Sequence, residues 1–162
     1  MSLAKKKSKF NIRIAQEADA GEIYYLVQRA FSSYGKNGSS PASREQIEDI
    51  YTDIRENTVL IIEINNLIVG TLRLEKDMEE RYYLKRFSIH PEYQGHGLGT
   101  ILYYQAEEIV KEMGGRSICL YSSTEDQKLV NFYSKCGFVC IEKDYQNGYE
   151  RGFLVKKIDG VD

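Results

Sequence analysis

The sequence predicts an α/β (α+β) fold: a mixed, mostly antiparallel twisted sheet flanked by helices, with element order βααβββαβαββ. Three observations carry that prediction. Strand-like runs over residues 58–64, 67–75 and 82–89 follow one another through short turns, which calls for antiparallel neighbours. The third run leads through a glycine-rich turn into a helical pattern and then a further short strand, the order of a βαβ crossover. A last pair of strand-like runs closes around Asn147-Gly148, a hairpin dipeptide.

Taken in order, Phe10, Ile12 and Ile14 alternate with polar residues and predict a first strand. Asp19 is placed to cap a helix whose apolar positions are Ile23, Leu26, Val27, Ala30 and Phe31. Residues 32–41 are rich in turn formers and are expected to be mobile. Ser43 and Gln46 have capping-box spacing for a second helix, with Ile47, Ile50, Tyr51 and Ile54 on its inner face. Asn65-Asn66 is the turn between the next two strands, and a turn over residues 77–80 leads to Tyr82–Ile89. The helix after the glycine turn has Leu98, Ile101, Leu102, Ala106, Ile109, Val110 and Met113 at helical spacing and stops at Gly114-Gly115. Ser117–Tyr121 is a short apolar strand. A helix from about Glu125 to Lys135 follows, with Ser122, Ser123 or Thr124 as its cap, and Gly137 ends it.

The 162 residues suffice for one domain with a real core, assigned to residues 10–158, with residues 1–9 as a flexible tail. An apolar content of 42% favours neither disorder nor a membrane class. No run approaches the ~20 apolar residues of a membrane span, and no apolar leader follows the N-terminus, so a cytoplasmic location is expected. Four lysines within residues 5–9, against a net charge of −2, read as a solvated tail rather than a nucleic-acid site. Cys119, Cys136 and Cys140 are odd in number and form no Cys-x-x-Cys pair. Both histidines, His90 and His96, are remote from them in sequence, so no metal site is expected and the thiols read as buried or idle.

The chemistry concentrates in Ser88-Ile89-His90-Pro91-Glu92-Tyr93-Gln94-Gly95-His96-Gly97-Leu98-Gly99-Thr100. The first turn of a helix presents backbone N–H groups without internal partners and a positive dipole end, and glycines let a phosphate approach them. A nucleotide-hydrolysing loop needs Lys and Ser/Thr after its last glycine, but Thr100-Ile101 follow Gly99. A dinucleotide fingerprint needs a small residue at 100 or 102, where Thr100 and Leu102 stand. The remaining pattern, Gln94-x-x-Gly97-x-Gly99 after Ile89-His90-Pro91, resembles the acyl-CoA loop of the GNAT superfamily of N-acetyltransferases. Downstream, Phe132-Tyr133-x-x-x-Gly137-Phe138 is similar to that superfamily's second signature, Tyr-x-x-x-Gly-Phe. The predicted element order is also the order of the GNAT fold.

The resemblance implies an acetyl-CoA (coenzyme A) site between the Tyr82–Ile89 and Ser117–Tyr121 strands. The pyrophosphate would lie on backbone N–H groups of Gln94, Gly95, His96, Gly97, Leu98, Gly99 and Thr100. The pantetheine would pair with backbone groups of Phe87 and Ile89, and an N–H at Phe87 or Ser88 would hold the oxyanion. His96 has two readings, a phosphate neighbour or an exposed loop residue. Asp126 also has two, a cofactor contact where many members carry Asn, or a first-turn helix acid. Tyr133 is the candidate acid for the leaving thiolate, a phenol of pKa ~10 facing a thiol of ~8.5. The base is open among Glu75, Glu63, Tyr82, Tyr83, Tyr121 and water.

The resemblance further implies that the acceptor is a primary amine of a small molecule or peptide, bordered by the first two helices and their connection, which here hold Phe31, Tyr34, Pro41 and Tyr51. No nucleic acid or membrane partner is expected, and the homodimer found in many members is left open. A non-catalytic acyl-CoA sensor or interaction module on the same fold is the alternative function.

Overall fold

The computed structural model describes residues 10–32 and 41–158. The expected N-terminal tail, Tyr34 and most of the turn-rich 32–41 stretch lie outside the described residues. The strands are β1 (Phe10–Ile14), β2 (Thr58–Ile64), β3 (Leu67–Lys76), β4 (Arg81–Ile89), β5 (Ser117–Ser123), β6 (Val139–Gln146) and β7 (Tyr149–Lys157). The helices are α1 (Ala20–Phe31), α2 (Ile47–Glu56), α3 (Leu98–Glu112) and α4 (Gln127–Cys136). The predicted order βααβββαβαββ is the observed one.

The strands form one seven-stranded sheet in the order β1-β2-β3-β4-β5-β7-β6. All neighbours pair antiparallel except β4 and β5, which run parallel through the α3 crossover. Tight turns set the antiparallel registers. Asn65 and Asn66 both take positive φ, as do Asn147 and Gly148, which suits a two-residue hairpin to the right-handed twist of its strands.

Side-chain alternation divides the apolar residues between two faces. Val59 and Ile61 of β2 join the cluster of α1 and α2, whereas Leu60 and Ile62 join the cluster of α3 and α4. Helix α1 buries Ile23, Leu26, Val27 and Ala30, one stripe at i, i+3, i+4, i+7. Each such burial contributes about 1.5–3 kcal/mol for the larger side chains. On the other face α3 buries Leu98, Leu102, Tyr103, Ala106 and Val110. Ile101 and Met113, expected inside, are 37% and 41% exposed because the buried stripe centres on Leu102 and Ala106. Tyr103 and Glu107 take the inner positions instead, Glu107 accepting from Lys156 Nζ at 2.6 Å.

Three helix starts differ from expectation. The cap of α2 is Gln46, in a reciprocal box with Asp49; Ser43 lies one turn earlier, in a 3₁₀ turn over Pro41–Arg44. Asp126 caps α4, its Oδ1 accepting from the N–H groups of Lys128 (3.0 Å) and Leu129 (3.4 Å). Residues 122 and 123 are the end of β5 and so cannot cap the helix, and Thr124 hydrogen-bonds Glu150 instead. Asp19 stands at the N-cap of α1 but makes no side-chain cap bond. Its carboxylate is held by Arg13 at 2.8 Å through both oxygens, and it also accepts from the Gln16 N–H at 2.7 Å.

Gly115, where the α3 crossover turns into β5, packs so closely that an added Cβ would lie 2.5 Å from Val110 Cγ1 and 2.7 Å from the Tyr82 ring. Gly115→Ala is therefore expected to cost about 1–3 kcal/mol through overpacking, read as a lowered urea midpoint with an unchanged denaturant slope.

Candidate active site

The parallel pairing of β4 with β5 is short. It joins Arg81, Tyr82 and Tyr83 to Ser117, Ile118 and Cys119 and then ends. From Leu84 onward the β5-facing edge of β4 pairs with no strand among the described residues, while β5 continues alongside β7 as far as Ser123. The two strands splay apart, and a cavity of about 700 Å³ fills the opening. That volume is in the range of small-molecule sites.

A bulge in β4 shapes the cavity wall. The register with β3 runs Thr71 to Ser88 and Arg73 to Lys85, so Leu72 faces the two residues Arg86 and Phe87. Arg86 adopts φ +53, a left-handed conformation uncommon for a residue with a side chain. A network of buried charges holds this position. Arg73, 1% exposed, donates to both carboxylate oxygens of Glu45 and at 3.0 Å to Asp53. Arg86 Nε reaches the same Glu45 at 3.3 Å. One carboxylate therefore receives an arginine from each strand flanking the bulge. Asp53 is buried, which alone would raise its pKa, but the Asn57 hydrogen bond and the charges of Lys85 and Arg73 outweigh this and lower it. Its contribution to stability is complete above the ordinary carboxylate value of ~3.9 and is lost as pH falls through its lower folded value.

The sequence-predicted residues fall into two groups. Phe87, Ser88, Ile89, Gln94, Asp126 and Tyr133 line the cavity. Gly95, His96, Gly97, Leu98, Gly99 and Thr100 form the rim at the start of α3, His96 exposed and the Leu98 side chain in the core. Gln94 Nε2 donates to the Ile89 carbonyl at 3.0 Å and ties the loop to the end of β4. Gly97 is the N-cap of α3 with no side-chain cap, and Gly95 and Gly97 take φ +81 and +80. A Cβ at either would meet nothing within 4 Å, so the glycines serve the turn and leave its outer surface open. This open rim of helix-start N–H groups, continuous with the splayed strands, fits a phosphorylated carrier with an extended arm.

Tyr133 is 7% exposed and packs edge-on against Phe132 and Phe138, with ring centroids 5.3 and 5.6 Å away. Phe132 in turn meets Phe87 edge-on at 5.7 Å, joining the second predicted signature to strand β4.

The base candidates separate. Glu63 is paired with Arg13 at 2.7 Å on the β1 side of the sheet, and Tyr82 is buried in the core against α3, so both are removed from the cavity. Strand alternation explains the Tyr82–Tyr83 split: Tyr83 faces the cavity and stacks on Tyr121, with centroids 6.5 Å apart. Burial, followed by the neighbouring Cys119, pushes the Tyr83 phenol above its ordinary value, so it stays protonated at neutral pH and has no phenolate to offer as a base. Glu75 and Tyr121 also line the cavity. Burial pushes the Cys119 and Cys136 thiols up to about 11, which leaves them unreactive as nucleophiles.

Sequence reasoning missed Arg86, Arg73 and Glu45. An arginine inside the apolar run Leu72-Arg73-Leu74 was the available signal for a buried charge needing partners.

The sequence pattern of the Acetyltransferase (GNAT) family matches residues 21–138. The chain belongs to this family. As a GNAT protein it is similar to an uncharacterized N-acetyltransferase, MJ1207, of Methanocaldococcus jannaschii, 28% identical over 109 residues, which cover 64% of this chain and 46% of that protein. The match thus spans less than half the length of that relative. It is also similar to the S-alkylcysteine N-acetyltransferase of Bacillus subtilis, 26% identical over 157 residues, covering 90% of this chain and 87% of that protein. Among solved structures, PaiA N-acetyltransferase from Thermoplasma acidophilum in complex with coenzyme A has the same fold, with a TM-score of 0.81, 19% identity, and 92% of this chain and 99% of that one covered. No described helix is long and apolar enough to cross a membrane.

The buried network gives a prediction independent of ligand. Glu45→Ala leaves Arg73 without its two-point partner and is expected to cost about 3–5 kcal/mol, measured by urea unfolding at neutral pH.

Proposed function

We propose that the chain is an acetyl-CoA-dependent N-acetyltransferase acting on a primary amine by direct transfer, organised as one acetyltransferase unit over residues 10–158. The observation that carries the reading is the parting of β4 from β5 over an open glycine rim at the start of α3. The name of the Bacillus subtilis relative supports a nitrogen nucleophile on a small molecule.

Bound acetyl-CoA supplies an acetyl group activated as a thioester. In this reading backbone N–H groups of Gln94 to Thr100 bind its diphosphate, and the unpaired edge at Phe87 and Ile89 aligns the pantetheine arm. An N–H at Phe87 or Ser88 stabilises the oxyanion. Amines of pKa ~10.4 are protonated at neutral pH and must lose a proton before attack. Glu75, the carboxylate on the cavity wall beside Lys85, accepts that proton through water. The Tyr133 hydroxyl gives its proton to the departing sulfur, and water returns one to the phenolate. Asp126, committed to capping α4 through Oδ1, acts by setting the start of that helix. The exposed edge strand β6, with Val139, Ile141 and Tyr145 open to solvent, is the feature that supports pairing with a second copy.

Thiol release from acetyl-CoA across an amine panel tests the activity; failure of every amine to raise release above hydrolysis contradicts it. Tyr133→Phe is expected to lower kcat by about 10²-fold or more while calorimetric binding of coenzyme A persists. An unchanged kcat would remove the acid role.

A further inference from the structure

The charged residues lining the cavity differ in how far they are already committed. Arg151 is held by Asp144 at 2.7 and 3.0 Å and lies over the Tyr121 ring at 4.1 Å. Lys85 bridges Glu75 at 3.1 Å and Asp53 at 3.4 Å. Arg86 is different. The one ion-pair or hydrogen-bond partner of its side chain among the described residues is Glu45, reached through Nε at 3.3 Å. That carboxylate is already bound at two points by the buried Arg73.

The terminal nitrogens of Arg86 thus keep their donors, on a side chain only 26% exposed and anchored through Nε. A partly desolvated guanidinium fork so placed is suited to a planar carboxylate. It also lies directly before Phe87 and Ser88, the residues assigned to the thioester.

The surrounding charge narrows the class of ligand. Arg73, Lys85 and Arg86 are balanced by Glu45, Asp53 and Glu75, all in contact with one another or sharing a partner. A neutral cluster offers no surplus for a polycation or a polyanion. It does offer an uncommitted cationic fork at Arg86 and, at Glu75, a carboxylate whose side chain is 48% exposed. Both residues line the cavity. The ligand matching that pair is a zwitterion, with its carboxylate at Arg86 and its ammonium toward Glu75. Beyond them the wall is aromatic, with Tyr83 stacked on Tyr121 and with Tyr149 and Phe31 nearby in the lining. These rings suit an apolar side chain.

Resting on the acetyltransferase reading above, we infer that the acceptor is a free α-amino acid with an apolar side chain, whose carboxylate is recognised by Arg86. A peptide N-terminus, an arylalkylamine and a polyamine all lack the carboxylate next to the amine.

The test is steady-state thiol release by the full chain with acetyl-CoA and four probes that share a phenylethylamine skeleton and differ at the carboxylate position: phenylalanine, phenylalaninamide, phenethylamine and a Phe-Gly-Gly peptide. Methionine, leucine and spermidine are added for breadth. The expected result is a kcat/KM for free apolar amino acids at least about tenfold above their carboxamide, peptide and decarboxylated counterparts. Arg86→Gln is expected to cut the free acid at least about tenfold more than the carboxamide. Arg86→Lys, which keeps the charge without the fork, should retain part of the preference.

If amide, peptide or spermidine is used as well as the free acid, the inference is wrong and the acetyltransferase reading stands. Equal losses for acid and amide in Arg86→Gln would likewise overturn it. Should either variant fail to fold, by melting or coenzyme A calorimetry, the wild-type acid-to-amide ratio alone decides. No turnover with any probe would sink the acetyltransferase reading and this inference together.

Discussion

The structure depends on a constraint of sheet geometry. A parallel neighbour must be reached by a crossover, and here α3 supplies it between β4 and β5. The strands share three residue pairs before they part, because β4 bulges at Arg86 and Phe87 while β5 follows β7. The splay exposes a strand edge beside the start of the crossover helix. Backbone donors on the edge and on the helix start then border one opening. No catalytic side chain is needed to create that opening, and the side chains that act there are added to it.

The bulge has a cost and a support. A left-handed arginine is unfavourable by about 1–2 kcal/mol relative to ordinary backbone. Glu45 draws together Arg73 from β3 and Arg86 from the bulge itself. Glu45 lies just before α2, in the connection that also brings Ala42 to the cavity wall. The connection before α2 and the bulged strand β4 are therefore joined through one buried carboxylate. Buried ion pairs seldom add much net stability, because desolvation offsets the attraction. Their loss is costly all the same, so this one fixes a geometry more than it deepens the fold's stability.

Much of this was legible in the sequence because it is local. The helix and strand periods, the Asn-Asn and Asn-Gly turns and the glycine loop are written in neighbouring residues. So is the Phe132-Tyr133-x-x-x-Gly137-Phe138 segment. What was not legible depends on partners far away in the chain. Arg86 lacks the side chain expected of a positive-φ residue, and Glu45 meets Arg73 across a separation of 28 residues. Tyr82 and Tyr83 are identical in kind, and only the pleat sends one to the core and the other to the cavity. Ser43 and residues 122–124 have good cap chemistry, but the chain path gives those positions to a 3₁₀ turn, a strand end and a side-chain bond to Glu150.

In the proposed mode of binding, backbone donors on the splayed edge and at the start of α3 hold the carrier. Amide chemical-shift mapping with coenzyme A tests it most directly. The largest changes are expected on Gln94 to Thr100 and on Phe87 and Ile89, with little change across β1 and β2. Saturation with coenzyme A that left those amides unshifted, or that moved β1, β2 or β6 instead, would contradict it.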